Sequence, residues 1–481
     1  FMFFLNHSIL ILSLVFYAFG IVLAFLALLH TRTPQGTFAW VISLIVFPYV
    51  AVPLYLIFGP RRFEGYIEAR RNRMEKNSKL SQLTENLLSK TNEMRVSATD
   101  KHTHLFGSLS KLVDLSPSMG NDCQLLIDGE QAYPAMYEAI LNAKEYILVE
   151  FYIIKSDSVG NWLRDLLVKK AQKGVRVYVV YDEIGSHKLP VGYISTLREA
   201  GVQMQPFNGK RFFLRNIVRV NFRNHRKVVV VDGKVCFVGG MNVGKDYIGA
   251  GAMGYWRDTV LKIEGPAVLQ TQLSFLEDWH WATKGGILTL IWDIDVQEAN
   301  RQMMILPSGP ADPTATWRAA FIALANAAEK KMWIASPYFV PDEAVLASLQ
   351  AAALRGVDVR ILTPDKADHI MVKLSSFTFI PDTLPYGIKL MRYTKGFLHQ
   401  KVILVDDDIV SVGTANLDNR SLTLNFEITA IIHDREIAGQ ACKMLEEDLT
   451  HSIPMQLSDY KGKSLLFRIA CSVARLMAPI Q

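Results

Sequence analysis

The sequence predicts an α/β fold with two pseudo-symmetric α/β/α repeats that form one catalytic unit, behind an N-terminal two-helix transmembrane hairpin. Three observations predict it. The pattern His-x-Lys, four apolar residues, Asp begins at His225 and again at His399. Apolar runs of strand length alternate with helical patterns ahead of both copies. Two almost wholly apolar segments open the 481-residue chain.

The two apolar segments predict membrane spans at residues 8–29 and 38–58 of a hairpin that covers 1–60. Each has about 20 residues, enough for a hydrocarbon core of about 30 Å. A cleaved signal peptide is disfavoured because the segment starts without Lys or Arg and a second span follows. Pro34 and Gly36 in the link suit a turn, and Pro48 and Pro53 are tolerable in a membrane helix.

Residues 61–118 read as a basic juxtamembrane helix and linker. Their arginines, against a single Arg32 in the link, predict a multi-pass protein whose catalytic domain is cytoplasmic. His102 and His104 lie two residues apart, but no carboxylate or third His nearby in sequence completes a metal site. Four widely spaced cysteines predict free thiols.

The alternating pattern defines a first repeat at 119–290 and a second at 291–455. Lys173-Gly174-Val175 corresponds to Arg355-Gly356-Val357, 182 residues later, and the two His motifs lie 174 apart. These near-equal offsets predict an internal duplication. Residues 456–481 predict a basic amphipathic helix that either packs on the catalytic domain or lies in a membrane interface.

Each motif predicts a β-hairpin with reactive groups at its open end. His225 and Lys227 fall on one face of a strand, and the turn at Asp232 sends the chain back until Asn242 lies beside His225. His399, Lys401, Asp406 and Asn416 repeat the arrangement, with the same seventeen-residue His-to-Asn spacing. Asp232 and Asp406 complete the catalytic signature, but their place at the turn predicts a structural role.

Two imidazoles suit one nucleophile and one general acid/base, while two lysines and two asparagines suit an anion held between them. That set favours a phosphodiester and predicts no cofactor and no metal. Each His also needs an orienting acceptor. The chain order pairs Asp258 with His225 and Glu427 with His399.

The duplicated motif resembles the signature of the phospholipase D superfamily. Asn221 to Lys227, Gly239 to Gly244, Pro337 to Asp342 and Gly413 to Ser421 resemble bacterial cardiolipin synthases over essentially the whole chain. The resemblance implies phosphatidyl transfer between two phosphatidylglycerol molecules, giving cardiolipin and glycerol, at the bacterial inner membrane. It implies a phosphatidyl-histidine on His225, with His399 as acid and base.

Alternatives remain open from the sequence. A hydrolytic phospholipase D or a transferase using another alcohol would carry the same residues. A nuclease is disfavoured because the membrane anchor would serve it no purpose, so no nucleic acid partner is expected. A non-catalytic membrane scaffold is disfavoured by two complete motifs. Arg420 and Ser421 are candidate substrate contacts after Asn416, and a homo-oligomer is possible.

Overall fold

The computed structural model describes residues 2–30, 34–59, 63, 66, 102–209 and 221–480. It divides into two units, one of Phe1–Gly65 with Lys210–Phe222, the other of Tyr66–Gly209 with Arg223–Gln481. The predicted basic helix and most of the predicted linker, 61–101 apart from residues 63 and 66, lie outside the described residues, and so do the arginines behind the predicted orientation.

The described part of the first unit contains three apolar helices, α1 (Met2–His30), α2 (Pro34–Val46) and α3 (Pro48–Phe58). Only α1 is long and apolar enough among the described residues to cross a membrane, over Leu10–Leu29. The predicted second span is not one helix, because the α-helix is interrupted at Phe47. Pro48 has no N–H to donate to Leu44, and its ring disfavours helical geometry at the preceding residue.

The helices of this unit pack against one another through small residues. Gly20 approaches the Leu44 carbonyl so closely that a Cβ could not fit there. Ala24, Ala27 and Ala51 are buried alongside. The three apolar helices therefore pack closely on one another, and the two-helix transmembrane hairpin stays a prediction.

The second unit is built on one mixed sheet of sixteen strands. There are two further short strand pairs. One joins the two halves, and the other lies within the second half. The strands are β1 (Ser118–Ile127), β2 (Tyr146–Phe151), β3 (Arg176–Tyr181), β4 (Gln203–Pro206), β5 (Arg223–Asn224), β6 (Lys227–Val231), β7 (Val235–Gly239), β8 (Trp256–Arg257), β9 (Thr259–Glu264), β10 (Arg301–Ser308), β11 (Lys331–Ala335), β12 (Phe339–Val340), β13 (Asp358–Pro364), β14 (Lys389–Tyr393), β15 (Phe397–Leu398), β16 (Val402–Val405), β17 (Ile409–Gly413), β18 (Leu417–Asp418), β19 (Asn425–His433) and β20 (Ser452–Pro454).

The strand order from the middle outwards is β1-β9-β7-β6-β2-β3-β4 on one side and β10-β19-β17-β16-β11-β13-β14-β20 on the other. Strands β1 and β10 pair antiparallel at the centre. Each side thus carries a motif hairpin, β6–β7 or β16–β17, flanked by a buried strand on either side. Continuous apolar sequences such as Val402–Val405 form these strands because both faces of the sheet are covered.

Helices cover the sheet and leave two large apolar cores, one in each half. Parallel pairs such as β2–β3 need a crossover, which a helix supplies. The helices are α4 (Thr103–Val113), α5 (Asp128–Asn142), α6 (Ser158–Gln172), α7 (Val191–Glu199), α8 (Pro266–Thr283), α9 (Thr316–Ala327), α10 (Glu343–Leu354), α11 (Ile370–Phe377), α12 (Ile380–Thr383), α13 (Asn419–Thr423), α14 (Arg435–Thr450), α15 (Ser458–Lys461) and α16 (Leu465–Leu476).

The predicted alternation of strands and helices matches β1 to β3 and β10 to β13 within a few residues. The sequence did not predict β9, β14 or β19. Strand β9 follows Asp258, and strand β19 contains Glu427. Polar residues at the start of each strand make its apolar pattern hard to recognise in the sequence.

Candidate active site

Two short parallel ladders join the halves at the open ends of the motif hairpins. Strand β5 pairs with the start of β19, so that Asn224 lies opposite Phe426. Strand β8 pairs with β15, so that Arg257 lies opposite Leu398. In each ladder the next residue along one strand is a motif histidine and along the other a carboxylate.

The buried His225 contacts Glu427. Its Nδ1 lies 2.9 Å from Oε2 and 3.0 Å from Oε1, and its backbone N–H donates to the Phe426 carbonyl. Because a carboxylate accepts, Nδ1 carries the hydrogen and Nε2 keeps its lone pair. Burial lowers the pKa of His225 to about 4, against the pull of Glu427.

Three further side chains donate to Glu427: Thr414 Oγ1 at 2.6 Å, Ser421 Oγ at 2.8 Å and Asn425 Nδ2 at 3.2 Å. Burial opposes the charge of this carboxylate, but His225, Lys227 and the hydrogen bonds lower its pKa. Glu427 is therefore a fixed anion behind His225.

The buried His399 contacts Asp258, with 2.7 Å between Nδ1 and Oδ2. Its N–H donates to the Arg257 carbonyl at 2.7 Å. Burial lowers the pKa of His399, helped by the charges of Lys401 and Lys227. Burial also raises the pKa of Asp258 to about 7, although Lys401 opposes this. In the second pair, the proton is therefore divided more evenly between the histidine and the carboxylate than in the first pair.

The predicted pairing of histidines with carboxylates was wrong. Asp258 belongs to His399, and Glu427 belongs to His225, so each histidine takes its partner from the other half. The reason is the pair of ladders, which align residues 224 with 426 and 257 with 398. Both carboxylates still orient histidines.

Both motif lysines are buried beside their histidines. Lys227 Nζ donates to the His225 carbonyl at 2.5 Å, and Lys401 Nζ lies 3.1 Å from His399 Nε2. Burial lowers the pKa of Lys227 well below its usual value and that of Lys401 to about 8. Among the described residues, neither lysine forms a direct ion pair with a carboxylate, and two buried cationic groups of this kind suit an anion.

The motif aspartates lie at the turn end of each hairpin. Asp232 accepts hydrogen bonds from the backbone N–H groups of Lys144, Glu145 and Tyr146, at 2.7 to 2.8 Å. Asp406 accepts from those of residues 329 to 331. Each therefore fastens the start of the neighbouring strand, β2 or β11, away from the histidines, and we assign to both a structural role.

An Asp232→Ala variant is expected to lose stability. It leaves three N–H groups at the start of β2 without their acceptor, which costs about 3 kcal/mol at roughly 1 kcal/mol per hydrogen bond. Urea unfolding followed by tryptophan fluorescence measures this. Asp407→Ala is the matched control, because its exposed carboxylate pairs with Lys331 at 2.7 Å on the surface and its loss should change stability by less than about 1 kcal/mol.

The two motif asparagines are buried near the histidines, but their amides have other partners. Asn242 accepts from the Ile153 N–H and donates to Tyr247 Oη at 3.0 Å, and Tyr247 Oη in turn lies 3.5 Å from His399 Nδ1. Asn416 donates to Asp418 at 3.0 Å. A substrate contact for either asparagine stays a prediction.

Arg420 and Ser421, both predicted as substrate contacts, have different surroundings in the structure. The hydroxyl of Ser421 donates to Glu427, so it supports the carboxylate, and a substrate contact for Ser421 stays a prediction. Arg420 is half-buried, and its charge acts on Tyr152, whose ring packs edge-on against His225 at 4.9 Å. Arg420 stays a predicted substrate contact.

Sequence reasoning missed the residue between His and Lys in each motif. Arg226 is buried and pairs with Asp278 on α8 at 2.6 Å. Gln400 occupies the same position in the second motif and donates to Asp448 on α14 at 3.1 Å. The alternation of a strand points these side chains away from the lysines. In each half, the partner is an Asp on a long helix that follows the motif. The sequence reveals this correspondence only when the two halves are compared.

One group of potential metal ligands occurs among the described residues, formed by His102, Asp408 and His433. His102 Nε2 lies 3.2 Å from Asp408, and His433 Nδ1 bonds to Gln302. His104 takes no part in it. The group lies at the turn end of β16–β17, with Asp408 beside the turn, whereas His399 precedes the other end of β16. It is therefore remote from the motif histidines.

Comparison with known families gives one match in each half. A family model described as "Cardiolipin synthase, PLD-like domain" matches residues 136–279 and 321–449. Cardiolipin synthase A of Pseudomonas putida is 42% identical over 464 residues, covering 96% of either chain. Cardiolipin synthase A of Pseudomonas aeruginosa is 43% identical over 465 residues, covering 96% of this chain and 94% of its own.

Among solved structures, the phosphatidylserine synthase of Haemophilus influenzae superposes with a TM-score of 0.60 at 16% identity. It covers 79% of this chain and all of its own. At that identity the likeness concerns the fold, and it agrees with the two-sided sheet described above.

Proposed function

Because the chain belongs to the cardiolipin synthase family of phospholipase D-like proteins, we propose that it is a phosphatidyltransferase that makes cardiolipin. It joins two phosphatidylglycerol molecules and releases glycerol. The observation that carries this is the convergence of two His–carboxylate pairs and two buried lysines from both halves on one site.

The first step requires a nucleophile with a free lone pair. His225 fits because Glu427 holds its Nδ1–H, which leaves Nε2 to attack the phosphorus. As the P–N bond forms, the bond to glycerol breaks, and the proton that the His399–Asp258 pair holds passes through His399 Nε2 to the glycerol oxygen. The imidazole of the phosphatidyl-histidine becomes cationic, and the fixed anion of Glu427 stabilises that charge.

The second step reverses the roles on a new alcohol. His399, now neutral, takes the proton of a hydroxyl on the second phosphatidylglycerol. The oxygen attacks the phosphorus, the P–N bond breaks, and His225 returns to its neutral form. Lys227 and Lys401 hold the phosphoryl oxygens, whose negative charge spreads in both transition states.

The direct test incubates the purified protein with phosphatidylglycerol alone and identifies the lipids by mass spectrometry. Cardiolipin with an equimolar amount of glycerol supports the proposal. Phosphatidic acid as the main product would show a hydrolytic phospholipase D instead. A second reaction with phosphatidylethanolamine added shows whether the acceptor must be phosphatidylglycerol.

The pH dependence should report the buried lysine. Lys401 is cationic below its pKa of about 8, which burial has lowered, so the free enzyme loses attraction for the phosphodiester as pH rises above 8. We expect kcat/KM to fall about tenfold per unit there. Lys401→Arg should lower the maximum and alter this decline, because Arg stays cationic and leaves Lys227, whose pKa burial also lowers, as the lysine that can lose its charge; an unchanged profile would contradict the assignment.

The remaining architecture is proposed on sequence and strand order. The family places the protein at a membrane, and the α1 span suits that. We propose that α2 and α3 together make a second pass at the bacterial inner membrane, with the catalytic unit cytoplasmic. The matching strand order and the two family matches support pseudo-symmetric repeats at 119–290 and 291–455. Reporter fusions at the C-terminus, green fluorescent protein against alkaline phosphatase, test the orientation.

A further inference from the structure

The C-terminal helix α16 is held on the catalytic unit by one face. Cys471 and Ala474 are buried, and Phe467 packs edge-on against Phe377 of α11 with 5.4 Å between ring centroids. Arg475 pairs with Asp382 at 3.0 Å and lies over the Phe379 ring. These contacts fix the rotation of the helix, so the direction of its other face is fixed as well.

The other face of α16 is apolar and exposed. Leu466 is 80% exposed and Leu476 78% exposed. The first turn of α11, which packs against α16, adds Ile370 at 66% exposure. We call this the α11–α16 surface, and its exposed apolar members are Ile370, Met371, Leu465, Leu466, Ile469, Val473, Leu476 and Met477. Contiguous apolar exposure of this kind marks a binding surface.

The charges around this surface favour a lipid partner. Residues 460–481 contain four basic residues and no Asp or Glu. Lys461 and Lys463 are exposed just before the helix. An apolar face bordered by basic side chains suits the interface of an anionic bilayer. A second copy would set the same positive charges against each other, which disfavours self-association through this face.

The surface adjoins the catalytic site. Asp368, two residues before α11, accepts a hydrogen bond from Tyr338 Oη at 2.7 Å and lies near enough to His399 and Lys401 to act on their charges. A small cavity of about 30 Å³ lies beside α11, lined in part by Tyr338, Val372 and Phe377. A bilayer against α11 would therefore lie close to Asp368, whose charge acts on His399 and Lys401.

We infer that the α11–α16 surface docks onto an anionic bilayer and brings the mouth of the active site to the lipid surface. The apolar side chains enter the interface, and Lys461 and Lys463 meet the headgroup phosphates. The inference rests on the proposed function only for the identity of the lipid. The docking itself can be measured without turnover.

The test places an environment-sensitive fluorophore on the full chain at Leu466→Cys, with Cys442→Ser removing the one described cysteine that is not buried. The matched control carries the label at Val191→Cys on α7, which is 79% exposed but isolated. Both proteins are reconstituted into phosphatidylcholine vesicles with and without phosphatidylglycerol, including bromine-labelled lipid as quencher.

We expect quenching at position 466, stronger with phosphatidylglycerol, and little at 191. Equal quenching at both positions, or none at 466, would overturn the inference. Self-quenching that depends on protein density without quenching by brominated lipid would assign the surface to a second copy and also overturn it. These readings hold even if the protein makes no cardiolipin.

A second measurement uses the double variant Leu466→Ser, Leu476→Ser, with Leu354→Ser as control because Leu354 is 72% exposed outside the surface. The double variant should raise KM on vesicles by roughly tenfold through lost apolar insertion. It should leave kcat on micellar short-chain phosphatidylglycerol within about twofold, since the histidines are untouched. An unchanged KM on vesicles would count against docking.

Discussion

A His399→Asn variant should release one equivalent of leaving group per chain and then stop. The substrate is a phosphatidyl ester of p-nitrophenol, whose departure needs no general acid. His225 can therefore still form the phosphatidyl-enzyme, but the second alcohol lacks a base. We expect a burst of p-nitrophenol equal to the enzyme, then turnover lowered by about 10³-fold or more.

His225→Ala is the counterpart and should give no burst at all, because no group forms the covalent bond. Alkaline quenching and peptide mapping should find the phosphatidyl group on His225 in the His399→Asn protein, since phosphohistidine is unstable to acid. A burst from His225→Ala, with the label on His399, would exchange the two roles. This result would leave the proposed overall reaction intact.

Glu427→Gln should slow the burst itself by about 10³- to 10⁴-fold, by analogy with removing the charge behind a catalytic histidine. The amide cannot balance the imidazolium that forms on His225, and it can hold the wrong tautomer. Asp258→Asn should leave the burst with the p-nitrophenyl ester nearly intact and slow the later turnover, because Asp258 serves His399.

Stopped-flow absorbance measures both the rate of the burst and the rate of the later turnover, and so distinguishes the two variants. If the pairing followed chain order, the two variants would show the opposite pattern. Ser421→Ala offers a graded control. It removes one of four donors to Glu427, and a burst slowed by about tenfold would match the loss of one charged hydrogen bond of roughly 1.5 kcal/mol.

Local sequence was enough to find the two histidines and two lysines that the structure brings together. His225 and Lys227 share a strand face because side chains alternate, and the repeat at His399 and Lys401 shows that a second set exists. Asp232 could be placed at a turn for the same reason, and it does cap the start of β2. Such inferences need only the geometry of one strand and one turn.

The helix boundaries within the predicted second span, residues 38–58, are harder to predict from the sequence. The apolar composition of residues 38–58 predicts one span, while the structure breaks at Phe47. Pro48 was visible in the sequence, but composition alone does not decide whether a proline kinks a helix or divides it. Packing of Leu44 and Ala51 against α1 accommodates the two pieces.

The sequence by itself determined the α/β pattern, the two histidines with their lysines, and the carboxylates available to orient them. Only the tertiary structure decided that Glu427 serves His225 and that Asp258 serves His399. The deciding contacts are two-residue ladders between strands about 140 to 200 residues apart. No local period records such pairings, because they form only when the two halves fold against each other.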